Sequence, residues 1–197
     1  MPKVTDEYRA ARRDEIADAA LRAFRRGGFQ GTSMADIISE AGLSAGAIYG
    51  HFASKNALVV EVASRIVGAR VEEIARLADT DPMPPPPHVP RLLVTAVRRE
   101  IGDPAVLLQL WGESVTDPEI RELAGRTIAR LADILRGYVS LWHQRAHGTP
   151  PDEADALAAA QVPLLLAVVQ GLVVQSSLGP DFDEDAYLAA VERYLPR

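Results

Sequence analysis

Cysteine is absent from the 197 residues, which excludes disulfide staples and thiolate metal sites and fits a reducing, cytoplasmic setting. The first residues, Met-Pro-Lys-Val-Thr-Asp-Glu, carry no apolar run, so no secretory signal is expected there. Lysine is nearly missing: it stands only at positions 3 and 55, leaving 19 of the 21 basic residues as arginine. Strand-like alternation and internal repeats are lacking too, so an all-α chain is expected. Without a strand there is nothing to carry a nucleophile elbow or a phosphate-cradling loop. His143 and His147 have the i, i+4 spacing that can bind zinc, yet the intervening Gln-Arg-Ala lacks a catalytic glutamate and no third ligand is suggested. No metal, cofactor or enzymatic activity is therefore expected.

What the chain does contain is concentrated between Gly31 and Leu58. Met34, Ile37, Ile38 and Ala41 fall at i, i+3, i+4 and i+7 and form one apolar helical face, with Thr32 or Ser33 as its cap. Gly42 supplies the backbone freedom that ends a helix, Leu43 gives an apolar plug, and Ser44 can accept from the first amides of a new helix. A tight helix-turn-helix follows from this order. The second helix is nearly bare. Ala45, Gly46, Ala47 and Gly50 offer little side chain, Ile48 and Phe52 point back to a core, and Tyr49 and His51 point outward. Small residues let a backbone approach something large, and Lys55 opens a further helix after Ser54, where amides and the helix dipole attract phosphate.

The run Ala-Gly-Leu-Ser-x-Gly-x-Ile-Tyr-x-His-Phe-x-Ser-Lys-x-Ala-Leu, from Ala41 to Leu58, resembles the DNA-binding domain of the TetR family of bacterial transcriptional regulators. The resemblance covers about residues 10 to 58. It implies that Tyr49 and His51 hold the DNA backbone, that Lys55 binds a phosphate, and that Thr32 and Ser33 make backbone contacts at the start of their helix. Ser44 and Gly46 belong to the same surface, and Ala45, Ala47 and Gly50 match positions that often face base edges. The family frequently has lysine at the place of Ala45, a hydroxyl at Ala47 and a larger residue at Gly50, so specificity is expected to lean on Tyr49, thymine methyls and DNA shape.

The formal charge of −6 fits a DNA binder only once it is divided. Residues 1 to 56 hold eight basic side chains against seven acidic ones, a balance of +1, which leaves −7 on the remainder. Arg9, Arg12 and Arg13 read either as an arm toward DNA or as a solvated helix start. A first helix is expected from about Arg9 to Arg26, ended by Gly27-Gly28, with Phe29 returning to the core. The run from Asp81 to Pro90 has four consecutive prolines and is expected to be an extended, non-helical spacer. Beyond it, helices are expected at about 91–102 and 105–115, then a long one after Asp117-Pro118, an apolar one over 154–178 and a last one over 183–194.

The expected architecture is thus an amino-terminal helix-turn-helix domain over residues 1–54 and a larger helical bundle over 55–197, about nine helices in all. The resemblance implies a homodimer through the last two helices, a palindromic operator in double-stranded DNA, and a cavity for a small, largely apolar effector. Gln109, Trp111, Ser114, Tyr138, Trp142, Gln161 and Val168 are the candidates for that cavity, each with ordinary core packing as the competing reading. Gln161, Pro163, Gln170, Gly171 and Gln175 interrupt the apolar 154–178 run, so a buried interface helix is expected there in preference to a membrane span. The function expected is a ligand-responsive regulator, a repressor released by its effector. The alternative is a dimeric helical adaptor that has lost operator binding through Ala45, Ala47 and Gly50.

Overall fold

The computed structural model describes residues 6–196, the side chain of Val67 excepted, and within them all regular structure is helical. Helix α1 spans Asp6–Gly31 but is broken at Gly28, whose φ of 69° and ψ of 176° leave the helical region. A Cβ at Gly28 would lie 2.6 Å from Gln109 Oε1, so backbone and space both demand glycine. Phe29 then turns into the core. Ser33 caps α2 (Met34–Ala41) in a reciprocal box with Asp36, and Gly42 closes it with a left-handed φ of 63°. Ser44 caps α3 (Ala45–Tyr49), and Ser54 caps α4 (Lys55–Ala78).

These four helices share a core of Ile16, Ala20, Phe24, Phe29, Ile37, Ile48, Phe52 and Leu58. The core reaches past residue 54: Val59 and Val62 of α4 complete it, and Ile120 and Leu123 join from the long helix that begins at Pro118. Arg13 fastens its edge. Its guanidinium pairs with Glu61, donates to the His51 carbonyl at 3.1 Å and lies 4.4 Å from the Phe52 ring centre, so this arginine belongs to the scaffold and not to a free arm. Arg12 is engaged with Glu15 and Tyr8.

The proline-rich segment corrects an expectation. Its end is a 3₁₀ turn, Pro86–His88, that runs straight into α5 (Val89–Ile101), and Pro86 and Pro87 are buried. Proline in a first helical turn has no amide to lose and a φ already set, so it starts helices as readily as it prevents them farther in. The Tyr138 hydroxyl donates to the Pro84 carbonyl at 2.6 Å, and burial pushes that phenol up to about 12. The segment is packed, not a spacer.

Helices α6 (Ala105–Thr116), α7 (Pro118–His147), α8 (Pro151–Leu178) and α9 (Glu184–Tyr194) complete the bundle. Asp117 caps α7 through the amides of Glu119 and Ile120. Helix α8 is long and apolar enough to cross a membrane by length and composition, with a mean hydropathy of 2.1. Here it packs one side against α7, α5 and α6. Ala154, Ala158, Val162, Leu165, Leu172 and Val173 are buried on that side, while Leu157, Leu164 and Leu178 are exposed.

Phe52 is 2% exposed at the junction of α1, α3 and α4. Truncation there leaves a cavity that a bundle this small cannot close, so Phe52→Ala is expected to cost about 3 to 5 kcal/mol in urea unfolding followed by circular dichroism.

Candidate DNA-reading surface and internal cavity

The exposed side of the helix-turn-helix is built from small residues around one large ring. Ala45, Gly46, Tyr49 and Gly50 are exposed, Ala47 is half-buried, and Ile48 beneath them is fully buried, so α3 is anchored from below and smooth on top. Tyr49 is 51% exposed. His51 is half-buried beside it. Ser33 is exposed, but its hydroxyl and amide are joined to Asp36 within the cap.

Two of the sequence-expected contact residues are otherwise engaged. Thr32 is 3% exposed and its hydroxyl donates inward to the Gly28 carbonyl at 2.7 Å, so the side chain offers nothing to a phosphate. The reason is local: the chain reversal after Gly28 leaves a carbonyl without a helical partner, and Thr32 satisfies it. Lys55 folds back as well. Its ammonium donates to the Phe29 carbonyl at 2.9 Å and sits 4.3 Å from the Phe29 ring centre, leaving two of three donor hydrogens.

Behind this surface lies a cavity of about 190 Å³ between α1, α4, α5, α6, α7 and α8. Its wall is almost wholly apolar, with Phe24, Phe29, Val62, Ile66, Leu110 and Trp111 prominent. Of the seven residues expected in it, only Trp111 lines it. Gln109 points the other way and accepts from the Phe29 amide at 2.8 Å. The Ser114 hydroxyl donates to the Trp111 carbonyl, Tyr138 is taken by Pro84, and Gln161 meets the buried His143 at 3.1 Å. Trp142 stacks edge-on to His143 and His147, and Val168 offers its carbonyl to Tyr187. Each of those polar groups has a neighbour that satisfies it, which is why polarity on an apolar helix did not mark the cavity.

The wall does hold three polar side chains that sequence reasoning missed: Arg70, Thr127 and Gln170. Arg70 had a readable signal. It continues the apolar α4 stripe Val59, Val62, Ile66 at helical spacing, where an arginine is out of place.

Helix α6 joins the two regions. Val106, Leu107, Leu110 and Trp111 face the cavity, while Gln109 grips the end of α1 and Glu113 accepts from the Gln30 amide group. Phe29, held by Gln109 and Lys55, is itself part of the cavity wall.

Comparison with known proteins agrees with this geometry. Residues 16–62 match the pattern described as bacterial regulatory proteins, tetR family, and residues 91–197 match the BetI-type transcriptional repressor, C-terminal. The chain is 27% identical to the transcriptional regulator BetI of Burkholderia thailandensis, over 99% of this chain and 96% of that one. Its fold is shared with the transcriptional regulator FadR of Bacillus subtilis in complex with stearoyl-CoA, at 16% identity and a TM-score of 0.66, covering 92% of this chain and 96% of that chain. A protein of Saccharomonospora viridis in complex with choline gives 23% identity and a TM-score of 0.64, with coverage of 94% and 95%. The fold and surface are those of a helix-turn-helix DNA-binding regulator of transcription. The chain belongs to the TetR family.

If the phenol of Tyr49 contacts phosphate, Tyr49→Phe weakens binding to operator and unrelated DNA by the same factor, about ten- to a hundredfold for one hydrogen bond to a charged group. Fluorescence anisotropy on both duplexes checks this, and a loss confined to the operator would reassign Tyr49 to base reading.

Proposed function

We propose that the protein is a ligand-relieved repressor, which grips a palindromic operator as a homodimer and lets go when a small, largely apolar molecule fills the cavity. The observation that carries this reading is the double engagement of α6, which borders the cavity on one face and holds the Phe29 amide through Gln109 on the other. Anything that displaces α6 must move the end of α1, and α1 carries the core on which α2 and α3 rest. The effector shifts the equilibrium only as far as it prefers one dimer shape to the other, and a preference of about 10⁴-fold gives a near-complete switch.

At the operator, Tyr49, His51, Ser33 and Ser44 contact the backbone, and Lys55 joins them with the donors Phe29 leaves over. Ala45, Gly46, Ala47 and Gly50 bring the α3 backbone close to the base edges. Thr32 takes part only through its main chain. The weak grip of so bare a helix favours a twofold partner, because two linked half-sites bind far more tightly than one. A dimer face is at hand. Leu157, Ala160, Leu164 and Ala167 recur at alternating three- and four-residue steps along the outer side of α8, and Val174 and Leu178 continue the line farther along the helix.

A mobility-shift titration on DNA flanking the gene tests the reading. A specific complex whose affinity falls steeply between about 50 and 200 mM salt is expected, by about a thousandfold or more if six or more phosphates are contacted. Leu164→Glu is expected to give a monomer in sedimentation and to lose at least about a hundredfold in operator affinity. A dimeric Leu164→Glu protein would place the interface elsewhere. Gln109→Ala is expected to keep both operator and effector binding but to shrink the effect of one on the other, read as the shift in operator affinity at saturating effector.

A further inference from the structure

Arg70 is 5% exposed, and it lies on the cavity wall in the apolar stripe of α4. Its Nη2 donates to Glu100 of α5. Glu73 stands 3.4 Å from Nη1 without forming a hydrogen bond, and Nη1 and Nε are buried with no hydrogen-bond partner among the described residues. An arginine cannot shed its charge to escape this position, and unpaired donors in an apolar surround are costly. Such a group is expected to have an acceptor that the protein itself does not supply. Arg70 is ion-paired with Glu73 and Glu100, and of these three charged groups only the guanidinium borders the cavity, with both carboxylates behind it.

A cationic ligand fits poorly here. It would meet a like charge with no carboxylate on the wall. The ring of Phe29, a natural seat for a quaternary ammonium, already carries the Lys55 ammonium at 4.3 Å. Phe24 packs against that same ring with centres 6.0 Å apart. The size is also informative. An engineered cavity of about 150 Å³ takes up benzene, so the 190 Å³ here admits roughly eight non-hydrogen atoms of apolar body.

We propose that the effector is an apolar monocarboxylate, with a body of about that size among Leu110, Trp111 and Ile66 and a carboxylate toward which Arg70 turns its unpartnered Nε and Nη1, donors otherwise closed off from the cavity. This rests on the ligand-gated reading above and names the chemistry of that ligand. The position of Arg70 also links binding to the bundle, because the guanidinium bridges α4 to α5 through Glu100. A carboxylate arriving at Arg70 competes with Glu100 for it.

The test uses the full-length protein and calorimetric titration at neutral pH with octanoate, 1-octanol and octyltrimethylammonium, which share a tail and differ in headgroup charge. Octanoate is expected to bind at least about tenfold more tightly than either, the range for a hydrogen bond to a charged group. Arg70→Gln is expected to erase that preference while keeping octanol binding. Glu100→Gln, which removes the competing carboxylate, is expected to tighten octanoate severalfold. Wild-type protein that binds no octanoate, or that favours the alcohol or the ammonium, overturns the proposal. So does a preference that survives Arg70→Gln, or, should that variant fail to fold, an octanoate affinity unmoved by Glu100→Gln. The shift assay without ligand is independent of these readings: operator binding without octanoate binding sinks the carboxylate alone, whereas octanoate binding without operator binding sinks the regulator.

Discussion

Phe29 is the residue on which the rest of the structure turns. Its amide donates to Gln109 of α6, its carbonyl accepts from Lys55 at the start of α4, and its ring is shared between the first core and the cavity wall. Gly28 makes this possible, since only a residue without a side chain can take φ 69° while Gln109 presses to within 2.6 Å of where a Cβ would be. One backbone unit thus fixes the register of α1 against both neighbouring helices. The price is two carbonyls and an amide removed from helical bonding, and Thr32, Lys55 and Gln109 are the side chains that satisfy what the break exposes.

This explains which parts of the molecule were legible in the sequence. The helix-turn-helix could be read because its signals are local: Ser33 with Asp36, Gly42, Ser44 and Ser54 each act within four residues of their own position. Lys55 was placed on the surface by the same local logic and Thr32 by the family resemblance, yet their partners, Phe29 and Gly28, depend on how α1 breaks and docks. Periodicity says which face of a helix is buried but not what lies across from it. The cavity suffered most from this. Polar residues on apolar helices looked like ligand contacts, and in the structure Tyr138, Gln161 and Gln109 serve neighbouring elements while the cavity is lined by Leu, Val, Ile and Phe that nothing distinguishes from core. The prolines at 86 and 87 were misread for a related reason, because the rule that they break helices inverts in the first turn.

Helix α8 shows how one composition can serve two burials. Its inner side packs against α7 and α5, and an all-apolar sequence would be wasteful if the outer side met only water. The second copy proposed above resolves this, with the small residues Ala160 and Ala167 letting two such helices approach closely between the larger Leu157, Leu164 and Leu178. Helix α9 is tied down at both ends, where Arg98 pairs with Glu184 and Arg91 pairs with Asp185 and with Glu192. Those exposed pairs set position more than stability.

The cavity itself supplies the energy scale of the switch. Leaving 190 Å³ unfilled forfeits roughly 4 to 5 kcal/mol of packing, at the ~24 cal/mol per Å³ found for engineered cavities. In the proposed switch, a ligand that fills the space recovers that amount only in the shape whose walls fit it. The near-complete shift of a two-state equilibrium needs about 5.5 kcal/mol of such preference. The two magnitudes are similar, so in the proposed switch filling the apolar space comes close to driving the transition by itself, and the charge-assisted contact proposed at Arg70 closes the gap. Under that proposal, a wall that is nearly all hydrocarbon with one buried guanidinium divides the labour: the tail provides the force, and the headgroup decides which molecule is allowed to apply it.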